Sequence, residues 1–163
     1  MRPSVALDQI VEGMQWQSDY TAAYLNTKTG QVIPVSDDEL AAAEVADDSR
    51  ELSDWEAEAV GIARAVLQGE DYIALPDRFE IDEYRMMERF ASGFDEAARG
   101  RLLGAIRGSG AFRYFKDTVH ELGLAQEWYS YRERAYEQIA VDWCRDNEIA
   151  YTRPNPPLGG PDA

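Results

Sequence analysis

Ala23-Tyr24-Leu25-Asn26-Thr27-Lys28-Thr29-Gly30-Gln31-Val32-Ile33-Pro34-Val35 is the stretch that decides the fold class. Strand-forming residues flank a polar Asn-Thr-Lys-Thr-Gly run, which is the pattern of a β-hairpin in a chain whose other periodicities are mostly helical. Gly30 can supply the positive φ that closes such a turn. Pro34 has no N–H to give to a ladder, so its strand belongs at an edge of the sheet. Downstream, Asp71-Tyr72-Ile73-Ala74-Leu75-Pro76 reads as a third strand that stops at its proline. Upstream, Val5, Leu7, Ile10, Val11 and Met14 recur at helical spacing and predict a helix over 4–15, with Ser4 as its cap and Gly13 weakening its end. Between the second and third strands lie an alanine-rich acidic segment and a stronger helix, whose Trp55, Ala59, Ile62, Ala63 and Val66 share one face and whose stop is Gly69.

After Pro76 the pattern is helical to the end of the ordered chain. A helix over 80–93 carries Ile81, Tyr84, Met87, Phe90 and Ala91 inward, and Asp95 caps the next, which bears Leu102, Leu103 and Ile106. Gly108-Ser109-Gly110 separates it from a helix over 111–122 with Phe112, Phe115, Val119 and Leu122 at three- or four-residue steps, broken at Gly123. The last helix, 125–146, aligns Trp128, Tyr131, Ala135, Ile139 and Trp143. The fold class expected is therefore α+β and mostly helical: an antiparallel sheet of about three strands covered by helices, then a C-terminal helical bundle whose core includes Phe112, Phe115, Trp128, Ile139 and Trp143. Residues 1–151 are expected to form one domain. Residues 152–163, rich in proline and glycine, are expected to be a disordered tail.

With 163 residues, 45% of them hydrophobic, the chain has enough apolar surface to close a core. One cysteine, Cys144, excludes an internal disulfide framework, and one histidine, His120, excludes a site needing two imidazoles. No window reaches the roughly 18 to 20 apolar residues needed to span a membrane, and Met1–Val5 lacks a signal peptide's apolar run, so a soluble cytoplasmic protein without membrane contact is expected. The net charge of −15 is unevenly spread. Residues 37–60 hold ten acids against Arg50 alone, whereas residues 99–116 hold Arg99, Arg101, Arg107, Arg113 and Lys116 with no acid. An acidic whole repels polyphosphate at long range unless the basic stretch forms a separate patch. The acidic run is either a solvated helix face or a docking surface for a basic partner.

The candidate site is an anion or phosphate cradle made of Gly108, Ser109, Gly110, Arg113 and Lys116, extended by Arg101 and Arg107. Backbone N–H groups at a helix start bind anions, and Arg113 and Lys116, three residues apart, leave one helical face. The alternative is a tight interhelical turn whose bases pair with the protein's own acids. The segment is no Walker loop, because it lacks the Gly-x-x-x-x-Gly-Lys spacing and follows no strand. Phe112, Tyr114 and Phe115, interleaved with the bases, could stack nucleobases, although helical spacing turns Phe112 and Phe115 inward together and leaves only Tyr114 free. His120-Glu121 begins a zinc-protease motif without its second histidine, so no metal is expected. Asp82, Glu83 and Glu88 could pair carboxylates, but Asp82 and Glu83 also suit a helix's first turn. No cofactor is called for.

In order along the chain, Tyr24–Val32, Tyr72–Pro76, Glu83–Phe90, Gly110-Ala111-Phe112-Arg113-Tyr114-Phe115-Lys116-Asp117 and Trp128-Tyr129 resemble the bacterial uncharacterised protein family UPF0158 over roughly residues 5–149. The resemblance implies a bacterial, cytosolic, single-domain protein and carries over no catalytic residue. Asn26 stands where that family's pattern has an acid after the hairpin leucine, which argues against a site that depends on a carboxylate there. Contrasting charged surfaces and the lack of a complete catalytic set lead to an expected role as a non-catalytic binding protein acting through protein–protein contacts. The runner-up is a nucleotide- or RNA-binding module using Gly108–Lys116, and the third reading is an enzyme of unfamiliar mechanism.

Overall fold

The computed structural model describes residues 3–44, 53–69 and 71–153. The fold is α+β and mostly helical, with a small three-stranded antiparallel sheet. The chain divides into two compact units, the first from Met1–Arg78 with Ala140–Arg153 and the second from Phe79–Ile139.

In the first unit the elements run β1 (Val5–Ala6), α1 (Leu7–Trp16), β2 (Thr21–Asn26), β3 (Val32–Ser36), α2 (Asp37–Glu44), α3 (Asp54–Gln68) and β4 (Tyr72–Ala74). The hairpin forms as its composition dictates: Leu25 pairs with Val32 and Ala23 with Pro34. Asn26 organises the turn, its carbonyl accepting from the Gly30 N–H at 2.8 Å while its side-chain Oδ1 accepts from the N–H groups of Lys28 and Thr29. Gly30 adopts φ +77°. Strand order is β3-β2-β4, so Pro34 lies on an edge strand.

The two faces of this sheet are covered by different helices. Ala23, Val32 and the nearby Leu75 face α1, where Gly13 lets the sheet approach: a Cβ there would lie 2.6 Å from Val32 Cγ1 and 2.9 Å from Leu75 Cδ2. Gly13 is thus a packing contact inside α1 rather than a weak helix end. On the opposite face Val35 is buried with Ala43 of α2 and Ala63 of α3, and Tyr24, Ile33, Leu40, Val60, Ile62 and Val66 pack around them. α3 opens on Ser53, whose hydroxyl accepts from the Glu56 N–H, and closes where the Gly69 N–H donates to the carbonyls of Ala65 and Val66.

Several expectations are corrected here. Val5 is in a strand, because its N–H donates to the Ala150 carbonyl at 2.9 Å, and α1 starts at Leu7 without Ser4 as a cap. Trp55, expected inward, is 71% exposed. Thr152, placed in the tail, belongs to β5 (Tyr151–Thr152), which pairs parallel with β1; residues 154–163 of the expected tail lie outside the described residues, as do residues 45–52 of the acidic run.

The second unit is helical. The expected helix over 80–93 is two: α4 (Arg78–Ile81), then α5 (Glu83–Ser92), separated by Asp82 at φ +50°. An aspartate tolerates that conformation better than most residues, and its carboxylate accepts from the Arg85 N–H to cap α5. α6 (Glu96–Ala105) is capped by Asp95, as its sequence predicts, through a 2.9 Å bond from the Ala98 N–H. α7 (Ala111–Glu121) and α8 (Ala125–Asp146) follow, with α8 supplying residues up to Ile139 to this unit and the rest to the first. The core is an aromatic cluster in which Phe115 lies 4.9 Å from Trp128, and Phe90 lies 5.2 Å from Trp128 and 4.8 Å from Phe94, centroid to centroid. Phe112 and Tyr84 are exposed instead of belonging to it, and Ile139 is half-buried. Trp143 is buried in the first unit, where its indole N–H donates to the Ala74 carbonyl at 3.1 Å.

After α8, Glu148 sits at φ +56°, the Ile149 N–H donating back to the Cys144 carbonyl. A side chain with a Cβ is strained in that conformation and glycine is not. Glu148→Gly is therefore expected to stabilise the protein by about 1 kcal/mol, read as a rise of about 2 to 4 °C in the thermal midpoint. No change, or a fall, would show that Glu148 gains as much from its surroundings as its backbone loses.

Candidate basic-aromatic surface

α6 ends at Ala105, and the chain turns through Ile106, Arg107, Gly108 at φ +90°, Ser109 and Gly110 at φ +78° before α7 begins. Gly110 is the N-cap residue and offers no side chain, and the first turn of α7 contains no acid. Its leading N–H groups therefore lack the side-chain acceptor that closes most helix starts. Gly110 also seats Tyr114: a Cβ at Gly110 would come within 3.0 Å of the tyrosine ring, and the Tyr114 N–H donates to the Gly110 carbonyl.

The sequence-predicted residues divide here. Arg101 is spent in an ion pair of 2.5 Å with Glu121, joining α6 to the end of α7. Arg107, Arg113 and Lys116 are exposed and have no ion-pair partner among the described residues. Among the described residues, pairing with the protein's own acids thus accounts for Arg101 and not for these three. Gly108, Ser109 and Gly110 are exposed with them.

Tyr114 is exposed beside them, as helical spacing predicts, and Phe112, expected inward with Phe115, is exposed as well. Phe112 is 54% exposed and Tyr114 is 56% exposed, whereas Phe115 on the same helix is 1% exposed. Phe112 is the second residue of α7, and helical side chains lean toward the helix start, so its ring projects past the first turn instead of onto a neighbouring helix. The backbone beyond that turn is Gly-Ser-Gly, with no large side chain to cover it. Two aromatic rings and three cations with no ion-pair partner among the described residues therefore share one short, solvent-facing segment, able to offer stacking, apolar contact and charge to a partner.

The other chemistry-bearing residues are occupied or unsuited. Glu83 Oε1 accepts from Arg132 Nε at 2.9 Å, from Arg132 Nη2 and from the Tyr136 hydroxyl, and the Arg132 guanidinium lies 4.7 Å above the Tyr136 ring. Arg132 and Tyr136, four residues apart on α8, thus hold the start of α5 through Glu83. Burial pushes the Cys144 thiol up to about 11, which keeps it protonated and a poor nucleophile near neutral pH. Glu121 is held by Arg101, and His120 Nε2 lies 3.5 Å from the Tyr129 hydroxyl. No group of three ligands that could hold a metal occurs among the described residues, and none of their helices is long and apolar enough to cross a membrane.

No curated protein and no solved structure matches the chain. The profile of an uncharacterised protein family, UPF0158, matches residues 1–155, nearly its whole length. The hairpin, the aromatic core of the second unit and the Gly110–Lys116 surface all fall inside that match, and the chain belongs to the UPF0158 family.

Proposed function

We propose that this protein is a non-catalytic binding protein of the bacterial cytosol that engages a protein partner through the surface at the start of α7. The observation that supports this is the joint exposure of Phe112 and Tyr114 beside exposed Arg113 and Lys116. Aromatic residues and arginine are the side chains that dominate protein-interface energetics, because they bring large rigid contact area and directional charge together. The chain's net charge of −15 disfavours a polyanion as the first choice of partner. A second reading, nucleotide or RNA binding, draws on the open, acid-free N-terminus of α7, where backbone N–H groups could receive a phosphate while the two rings stack on bases.

A photo-crosslinking amino acid placed at Tyr114, with one at exposed Gln9 on α1 as the control, separates the two in cells. A protease-sensitive adduct is expected at position 114 alone, reduced at least about fivefold by Arg113→Glu with Lys116→Glu, since contact charges steer and hold such complexes. A nuclease-sensitive adduct would transfer the site to the second reading. Equal labelling at both positions, or none at 114, would remove this surface from either role.

A further inference from the structure

The structure carries a surface complementary to that site on the chain itself. At the start of α3, Trp55 is 71% exposed, and Asp54 and Glu58 are exposed one helical turn apart. Trp55 and Glu58, three residues apart, share a face of the helix. At the start of α7, Phe112 and Lys116 are separated by four residues and Arg113 and Lys116 by three, so an exposed ring beside two like charges recurs there with the opposite sign and a different spacing. Both helices begin with a large aromatic at their second residue, and both leave it in solvent.

We infer that the basic aromatic surface of α7 docks on the acidic Trp55-bearing turn of α3 in a second copy of this chain. The inference rests on the protein-binding reading of the α7 surface and names its partner. An indole face attracts a guanidinium, so Trp55 can receive Arg113 or Arg107 while Asp54 and Glu58 meet Lys116 and the remaining arginine. The two patches differ, so the contact is heterologous, and it propagates unless the assembly closes on itself. Two copies of charge −15 repel at long range. At physiological salt that repulsion is screened beyond about 8 Å, whereas opposite charges brought into contact are screened far less.

Sedimentation velocity of the full chain at near-physiological salt tests this with a charge swap. Wild type is expected to sediment faster as concentration rises. Asp54→Lys with Glu58→Lys makes both surfaces basic, and Arg113→Glu with Lys116→Glu makes both acidic, so each variant alone is expected to remain monomeric. An equimolar mixture of the two is expected to associate again, because it restores opposite charges across the contact. Trp55→Ala is expected to weaken wild-type association by more than about tenfold, as loss of a central aromatic anchor does. Circular dichroism on each variant reports the fold, and all five positions are exposed. A wild type monomeric at every concentration, or a mixture that stays monomeric, would overturn the inference. If that happens while position 114 still crosslinks to a different protein, the α7 surface keeps its function and loses only this partner.

Discussion

Phe115→Ala is expected to lower the stability of the protein by about 3 to 5 kcal/mol, the cost of emptying a fully buried aromatic site in a core too well packed to collapse around it. Phe115 stacks edge-on against Trp128 at 4.9 Å and lies 6.3 Å from Phe90, so its removal takes two ring contacts as well as buried area. Phe112→Ala on the same helix removes the same side chain from solvent-exposed surroundings and is expected to change stability by no more than about 0.5 kcal/mol. Urea unfolding of the two variants beside wild type makes the comparison. Equal shifts would mean that Phe112 is packed after all, and the basic-aromatic surface would lose its principal ring.

Gly13→Ala sets two known effects against each other. In the middle of a helix, replacing glycine by alanine ordinarily gains about 1 kcal/mol from backbone entropy. Here the new methyl would fall 2.6 Å from Val32 Cγ1 and 2.9 Å from Leu75 Cδ2, both buried. Val32 is β-branched, held in a strand and stiff about χ1, so it cannot swing aside. Overpacking of this kind costs about 1 to 3 kcal/mol, and the net expectation is destabilisation with separation of α1 from the sheet. Gly61→Ala is the control, because a Cβ in the middle of α3 meets nothing within 4 Å. It is expected to stabilise by up to about 1 kcal/mol. Thermal midpoints that move in opposite directions would confirm that α1 is seated through Gly13; a rise in both would place the sheet farther from α1.

The local elements were legible because their causes are local. The hairpin follows from Gly30, from Asn26 and from the strand-formers around them, and Asp95 and Gly69 stand at the helix boundaries that their chemistry predicts. The limits of the last helix, Ala125–Asp146, agree with its periodicity. Asp82 shows where such reading stops: periodicity carries one continuous helix through a residue whose side chain caps the start of a second one.

The candidate surface was legible in its charges and in Tyr114, and hidden in Phe112. Arg107, Arg113 and Lys116 stood out as an acid-free run, while the exposure of Phe112 could not be read from spacing. Trp55, Tyr84 and Phe112 all fit an inward stripe, all occupy the second position of their helices, and all are exposed. Periodicity gives the angle of a side chain around the helix axis and says nothing of what lies beyond the helix end toward which it leans. The sequence by itself therefore determined the α+β class, the hairpin and its edge strand, most helix limits and the polarity of the two charged segments. Tertiary structure alone decided the division into two units, the seat of Gly13 against Val32 and Leu75, the pairing of Tyr151–Thr152 with β1, the Glu83–Arg132–Tyr136 cluster and which aromatics face solvent. Each of these depends on residues far apart in the chain meeting in space, and no local propensity or period encodes that meeting.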